Sequence, residues 1–217
     1  MTRRILLCLD MILILTAMWI ALTAGRIQGP EANPDSVVRN IIYAHVPSSI
    51  CAMLCFVVLL VASIGYLITS KRIWDQVAMA SAEVGMVFAA ILNLTGSIFS
   101  RAEWGPWWTP TPRLVTAALL WFLYVVYLIL RSSISGSADK KAKICAVYGI
   151  IAFLDVPLVY ISARYIPDIH RASFSFDASE QRIAFFMSMA SIVLLGALLI
   201  WIRTDILKIQ NRLQEDF

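Results

Sequence analysis

Apolar residues run along this chain in six long blocks, approximately 5–24, 46–69, 77–99, 114–130, 144–161 and 183–202, separated by short stretches rich in Pro, Gly, Ser and charge. A helix rising 1.5 Å per residue needs about 20 residues to cross a typical hydrocarbon core, and each block has that length or nearly so. Inside hydrocarbon the backbone must satisfy its own hydrogen bonds, which for separate apolar blocks means α-helix. The pattern predicts an all-α integral membrane protein, a six-transmembrane-helix bundle. No connection is long enough to form a domain, and no internal repeat stands out. Residues 1–217 are therefore expected to form one six-span unit.

Composition agrees with the pattern. Sixty per cent of the 217 residues are apolar and the mean hydropathy is +0.78, more apolar matter than one soluble core of this size can bury. The formal charge is +4, which in a soluble protein would point to an anionic partner. Here basic loops that set orientation explain it, and no basic stripe with interleaved aromatics calls for nucleic acid. If the N-terminus lies inside, the cytoplasmic loops and termini hold eleven Lys and Arg against seven on the other side. The bias is concentrated in the short loops at Lys71-Arg72 and at Lys140, Lys141 and Lys143, where the positive-inside rule weighs most. Both termini are thus expected in the cytoplasm. The run after Met1-Thr-Arg-Arg is long enough to span and has no evident small-residue cleavage site, so it reads as an uncleaved signal-anchor. Cys8, Cys51, Cys55 and Cys145 show no redox, haem-attachment or zinc spacing and are expected as buried free thiols.

Between the third and fourth blocks stands Trp104-Gly-Pro-Trp107-Trp108-Thr-Pro-Thr-Pro-Arg113, with three of the seven tryptophans within five residues. Pro106, Pro110 and Pro112 remove backbone donors and fix φ, which predicts a shaped, semi-rigid loop over 100–113 on the outer side. Two functions fit such a loop. It could be an interfacial aromatic belt. It could also be a platform for a flat apolar macrocycle with carboxylate tails, such as haem, with Arg113 pairing the carboxylates and Arg164 or Arg171 as further candidates. Both histidines fall on the same predicted side, His45 at the mouth of the second span and His170 in the outer loop 162–182. Two imidazoles from different segments could close the axial positions of a haem iron. Taken singly, each histidine would more ordinarily make an interfacial hydrogen bond; together with the Trp loop, ligation is the better reading.

Asp155, two residues before Pro157, and Glu83 are expensive in hydrocarbon and are functional candidates, the alternative being an interhelical hydrogen bond to a residue such as Asn93 or Ser81. Gly65, Gly85, Gly96, Gly149 and Gly196 read as close-packing points. No nucleophile, zinc-protease or phosphate-loop motif occurs, so no enzymatic activity is expected. The paired repeats and broken helices of a self-sufficient transporter do not show either.

Tyr43-Ala-His45-Val-Pro47, Thr95-Gly96-Ser97, the Trp104–Trp108 run, Arg113-Leu114, and Asp155-Val-Pro157 followed by His170 together resemble the haem exporter protein C family of cytochrome c maturation, part of the tryptophan-rich haem-handling group of six-span proteins. The likeness runs from about residue 41 to the sixth span. It implies a protein of the bacterial inner membrane in which His45 and His170 ligate a transient, transferable haem b from opposite sides. Trp104, Trp107, Trp108 and Arg113 would hold the macrocycle. The haem would pass to a periplasmic haem chaperone, with ATP-binding-cassette subunits driving release of the loaded chaperone. The sequence departs from the family pattern where a further Trp and an Asp are usual: Pro110 and Thr111 stand there instead. Two other classes remain open from the residues: a membrane b-type cytochrome exchanging electrons with quinone, and a permease subunit of an export transporter.

Overall fold

The computed structural model describes residues 2–27, 38–167 and 176–215. Helix α1 covers Thr2–Leu22, a short 3-10 turn over Val38–Ile41 leads into α2 (Ile42–Thr69), and α3 (Arg72–Trp104), α4 (Pro112–Ser133), α5 (Ala138–Ala152), α6 (Asp155–Tyr165) and α7 (Ser179–Glu215) follow. Six segments are long and apolar enough to cross a membrane, α5 and α6 together forming the fifth. No strand occurs among the described residues. The chain is an all-α, six-span membrane bundle.

Several helices run past their apolar blocks. Helix α3 has 33 residues and α7 has 37, about 50 Å or more at 1.5 Å per residue. That exceeds the roughly 30 Å of hydrocarbon, so polar turns continue the helix beyond the span. The fifth span, expected as one helix over 144–161, is interrupted at Phe153-Leu154. Pro157 has no N–H to give the Phe153 carbonyl, and the Val156 amide takes that carbonyl instead at 3.0 Å.

Helices α2 and α3 form the centre. Helix α7 packs against both and carries α1 on its other side, while α4 bridges α3, α5 and α6. Phe56 stacks face to face on Tyr124, and Leu59, Leu120 and Tyr127 are fully buried beside them. Close approach of the helices depends on glycine: a Cβ on Gly196 would lie 2.4 Å from Cys51 Sγ, and one on Gly85 would lie 2.5 Å from Phe56 Cε1. Cys51, Cys55 and Cys145 are buried free thiols, whereas Cys8 is exposed. The difference follows from α1, which packs chiefly against α7 and leaves its other faces bare.

Intramembrane charge is handled in two ways. Glu83 receives a bidentate pair from Arg203 on α7, Nε at 2.5 Å and Nη2 at 2.9 Å, so its partner is a cation and not Asn93 or Ser81. Asp155 is only 4% exposed, and neither carboxylate oxygen has a hydrogen-bond partner among the described residues. Asn93 instead donates to the carbonyls of Ala89 and Ala117. Asp10, which the sequence pattern did not single out, is buried in the same unpartnered state on α1.

Candidate functional site

One end of the bundle gathers the end of α1, the starts of α2, α4 and α7, and the ends of α3 and α6. Its shape is set by the last turn of α3. Trp104 is the final helical residue, and Gly105, at φ +95°, breaks the helix in a conformation that side chains disfavour. Pro112 starts α4 at the first-turn position, where its missing N–H costs nothing. The connecting loop is therefore 105–111, shorter than the 100–113 expected. Trp104 and Arg113 belong to helices.

The loop folds back on α3. Ser100 Oγ donates to the Pro106 carbonyl at 2.8 Å, and Arg101 donates to the carbonyl of Gly105. The Arg101 guanidinium also lies 5.9 Å from the centroid of the Trp107 ring, within cation–π range. Held this way, Trp107 is 59% and Trp108 45% exposed. Trp104 is half-buried and packs edge-on against Phe99, ring centroids 5.4 Å apart. The three indoles thus divide: two face outward from the loop, and one supports its base.

His45 lies in the first turns of α2, half-buried beside Pro47, which sits within the helix. Its Nδ1 is 2.9 Å from Thr95 Oγ1 on α3. The next residue of α3 is Gly96, where a Cβ would come within 3.2 Å of His45 Cε1. The imidazole therefore rests close against α3 at a position where any side chain would press on the ring. Thr95 and Gly96 both belong to a signal legible in the sequence, although the bond between α2 and α3 was not.

Arg113 donates through Nη2 to the Ala163 carbonyl in the last turns of α6. One turn on, Thr116 Oγ1 and Ser162 Oγ are 3.0 Å apart. Together they tie α4 to α6, from whose end the chain continues toward His170. His170 and Arg171 lie outside the described residues. Arg164 is exposed near the end of α6. A further contact was not anticipated: Arg39, just before α2, reaches Glu103 at the end of α3, Nε to Oε1 2.5 Å. Glu103 is largely shielded, and the pair clamps the His45 helix to the Trp helix. Tyr43 adds to this by donating to the Gly25 carbonyl at 2.5 Å, bringing the end of α1 to the same place. No group of three or more His, Cys, Asp or Glu able to hold a metal ion occurs among the described residues. A haem iron, which brings four equatorial ligands of its own, asks less of the protein: an imidazole, flat apolar surface and cations for its carboxylates. His45, the exposed indoles and Arg113 match that set.

A six-span membrane bundle with a notched histidine and an outward-facing pair of indoles at one end is the class that fold and site define. Residues 1–216 match the model of the family described as CcmC, heme exporter protein C. The chain belongs to that family. It is 30% identical over 184 residues to the heme exporter protein C of Paracoccus denitrificans, covering 81% of this chain and 75% of that one. Against the protein of the same name from Rhodobacter capsulatus it is 28% identical over 204 residues, 88% and 83% of the two chains. Against that of Escherichia coli K12 it is 29% identical over 160 residues, 71% and 64%.

Proposed function

We propose that this protein holds haem at the outer face of the bacterial cytoplasmic membrane for c-type cytochrome biogenesis and hands it on, acting as a carrier and not as an enzyme. The observation that carries the reading is the imidazole of His45, fixed between Thr95 and Gly96 at the same end of the bundle as the exposed Trp107 and Trp108. His45 and His170 serve as axial ligands of a transiently bound haem b. Trp107 and Trp108 offer the macrocycle its apolar face, Trp104 supports the loop beneath them, and Arg113 pairs with a propionate. The recipient is a periplasmic haem chaperone, with ATP-binding-cassette subunits working alongside. The lysine-rich end, with both termini, faces the cytoplasm.

Two experiments test this arrangement. In a background with the exposed Cys8 replaced by alanine, an impermeant maleimide should label Ala102→Cys in intact spheroplasts and Ser135→Cys only after the membrane is opened. Labelling of both from one side would contradict the topology. For the loop, Arg113→Lys keeps the charge but loses the planar fork, and a charged hydrogen bond of this kind is worth about 1.5–3 kcal/mol. Haem affinity should fall about tenfold or more. Trp→Phe changes should be unequal, costing more haem at Trp107 or Trp108 than at Trp104. An aromatic belt predicts three equivalent Phe variants and no loss with Arg113→Lys.

A further inference from the structure

The contact between His45 and Thr95 fixes more than the position of the ring. A threonine hydroxyl has one proton to give and two lone pairs with which to accept. Thr95 Oγ1 lies 2.6 Å from the Ile91 carbonyl and 3.3 Å from the Leu92 carbonyl, both of which can only accept. The hydroxyl proton is therefore spent on its own helix, and the side of Oγ1 turned to His45 is a lone pair. The atom 2.9 Å away, Nδ1, must then be the donor. A neutral imidazole carries a single N–H, so its lone pair resides on Nε2. The notch at Gly96 supports the same arrangement, because the ring edge pressed toward α3 is the one bearing Nδ1 and Cε1, at 3.9 and 3.2 Å from where a Cβ would stand.

We propose that Thr95 is a positioning residue that locks His45 in the Nδ1–H tautomer and so makes Nε2 the nitrogen that ligates haem iron. The inference rests on the haem reading above and names the atom through which it operates. Free imidazole side chains in water favour the other tautomer, with the proton on Nε2, which would hold the coordinating lone pair against Thr95. The hydroxyl removes that competition before haem arrives. It also strengthens the ligand, since an imidazole that donates its Nδ1–H is the more basic at Nε2 for it. Glycine at 96 lets the ring approach closely enough for the bond to form. The Thr95-Gly96 step is thereby a unit, with a donor sink and a space for the ring in adjacent positions.

The test uses haem-free full-length protein labelled with 15N-histidine, with His170→Gln so that every ring signal comes from His45. At a pH of about 8, above the usual imidazole range, the nitrogen spectrum should show Nδ1 protonated and Nε2 bare. Thr95→Val keeps the shape but removes the acceptor, and it should move the ring toward the Nε2–H form. In a chain with both histidines, Thr95→Val should lower haem affinity about 10–100-fold, and Thr95→Ser should restore both the tautomer and the affinity. An Nε2–H ring in wild-type Thr95 protein, or unchanged tautomer and affinity in Thr95→Val, overturns the inference. The two failures are separable: if the unsubstituted chain takes up no haem, it is the haem reading that falls, whereas a wrong tautomer in a chain that does bind haem sinks this proposal alone.

Discussion

Replacing Arg131 with methionine is expected to destabilise the bundle by about 3–5 kcal/mol, the cost of leaving a buried charge without its partner. Arg131 near the end of α4 grips Asp75 in the first turn of α3 with two parallel bonds, Nη1 to Oδ1 at 2.7 Å and Nη2 to Oδ2 at 2.6 Å, and its Nε lies 3.2 Å from Met79 Sδ. The side chains are only 13% and 17% exposed, so water can do little to screen or replace the interaction. Methionine fills much of the arginine stem's volume, which isolates the electrostatic part of the loss. Removing both charges in Arg131→Met with Asp75→Leu should recover most of the stability, because an apolar pair leaves no orphaned ion. Thermal unfolding of the detergent-solubilised protein reads this out. Purely additive losses in the double variant would show that packing, and not the ion pair, sets the cost. The Trp loop lies at the other end of the same helix, so haem binding per folded molecule should be largely retained in the double variant.

The six spans were legible because the apolar blocks have the length that a bilayer demands, whereas the fifth was expected as one helix and the break at Phe153-Leu154, beside Pro157, was not. Nor were the helix ends. Nothing local stops α3 until Gly105, and amphipathic turns such as those before Trp104 carry little hydropathy signal. The Trp loop and His45 stood out by residue type alone. What the sequence withheld was pairing. The contacts His45–Thr95, Arg39–Glu103, Arg113–Ala163, Asp75–Arg131 and Glu83–Arg203 join residues 50 to 120 positions apart, and a single chain carries no record of which cation meets which acid. Glu83 illustrates the consequence: the alternative weighed from the sequence was an interhelical hydrogen bond to a neutral residue such as Asn93 or Ser81, while the fold supplied a guanidinium from α7. Asp155 illustrates the reverse, since its burial was foreseeable from its place in the span but its lack of any described partner was not.

His45→Ala should have the largest functional effect of any single substitution in the described residues. The ring is held along one edge by neighbouring positions of α3, Thr95 through its hydroxyl and Gly96 through the close approach it allows, and alanine removes the imidazole with both of its nitrogens. Loss of an outer-shell partner alone typically costs 10–100-fold in affinity, and loss of the ligand itself should exceed that, leaving little haem on the purified protein. Because alanine is a good helix residue and His45 lies in an intact part of α2, the fold should survive, and unfolding temperature should move by no more than a few degrees. A permease subunit with an aromatic belt would be indifferent to the change. A resident b-type cytochrome would ordinarily hold its iron between histidines deep within spans, and His45 stands in the first turn of its helix.

The most direct measurement is the reduced-minus-oxidised visible spectrum of the purified protein beside that of His45→Gly, each recorded with and without imidazole. Haem in the wild type, its loss in His45→Gly and its partial return when imidazole fills the vacated place are the results expected if His45 is an iron ligand at this end of the bundle. Absence of haem from both proteins, or identical haem spectra in the two, would contradict it.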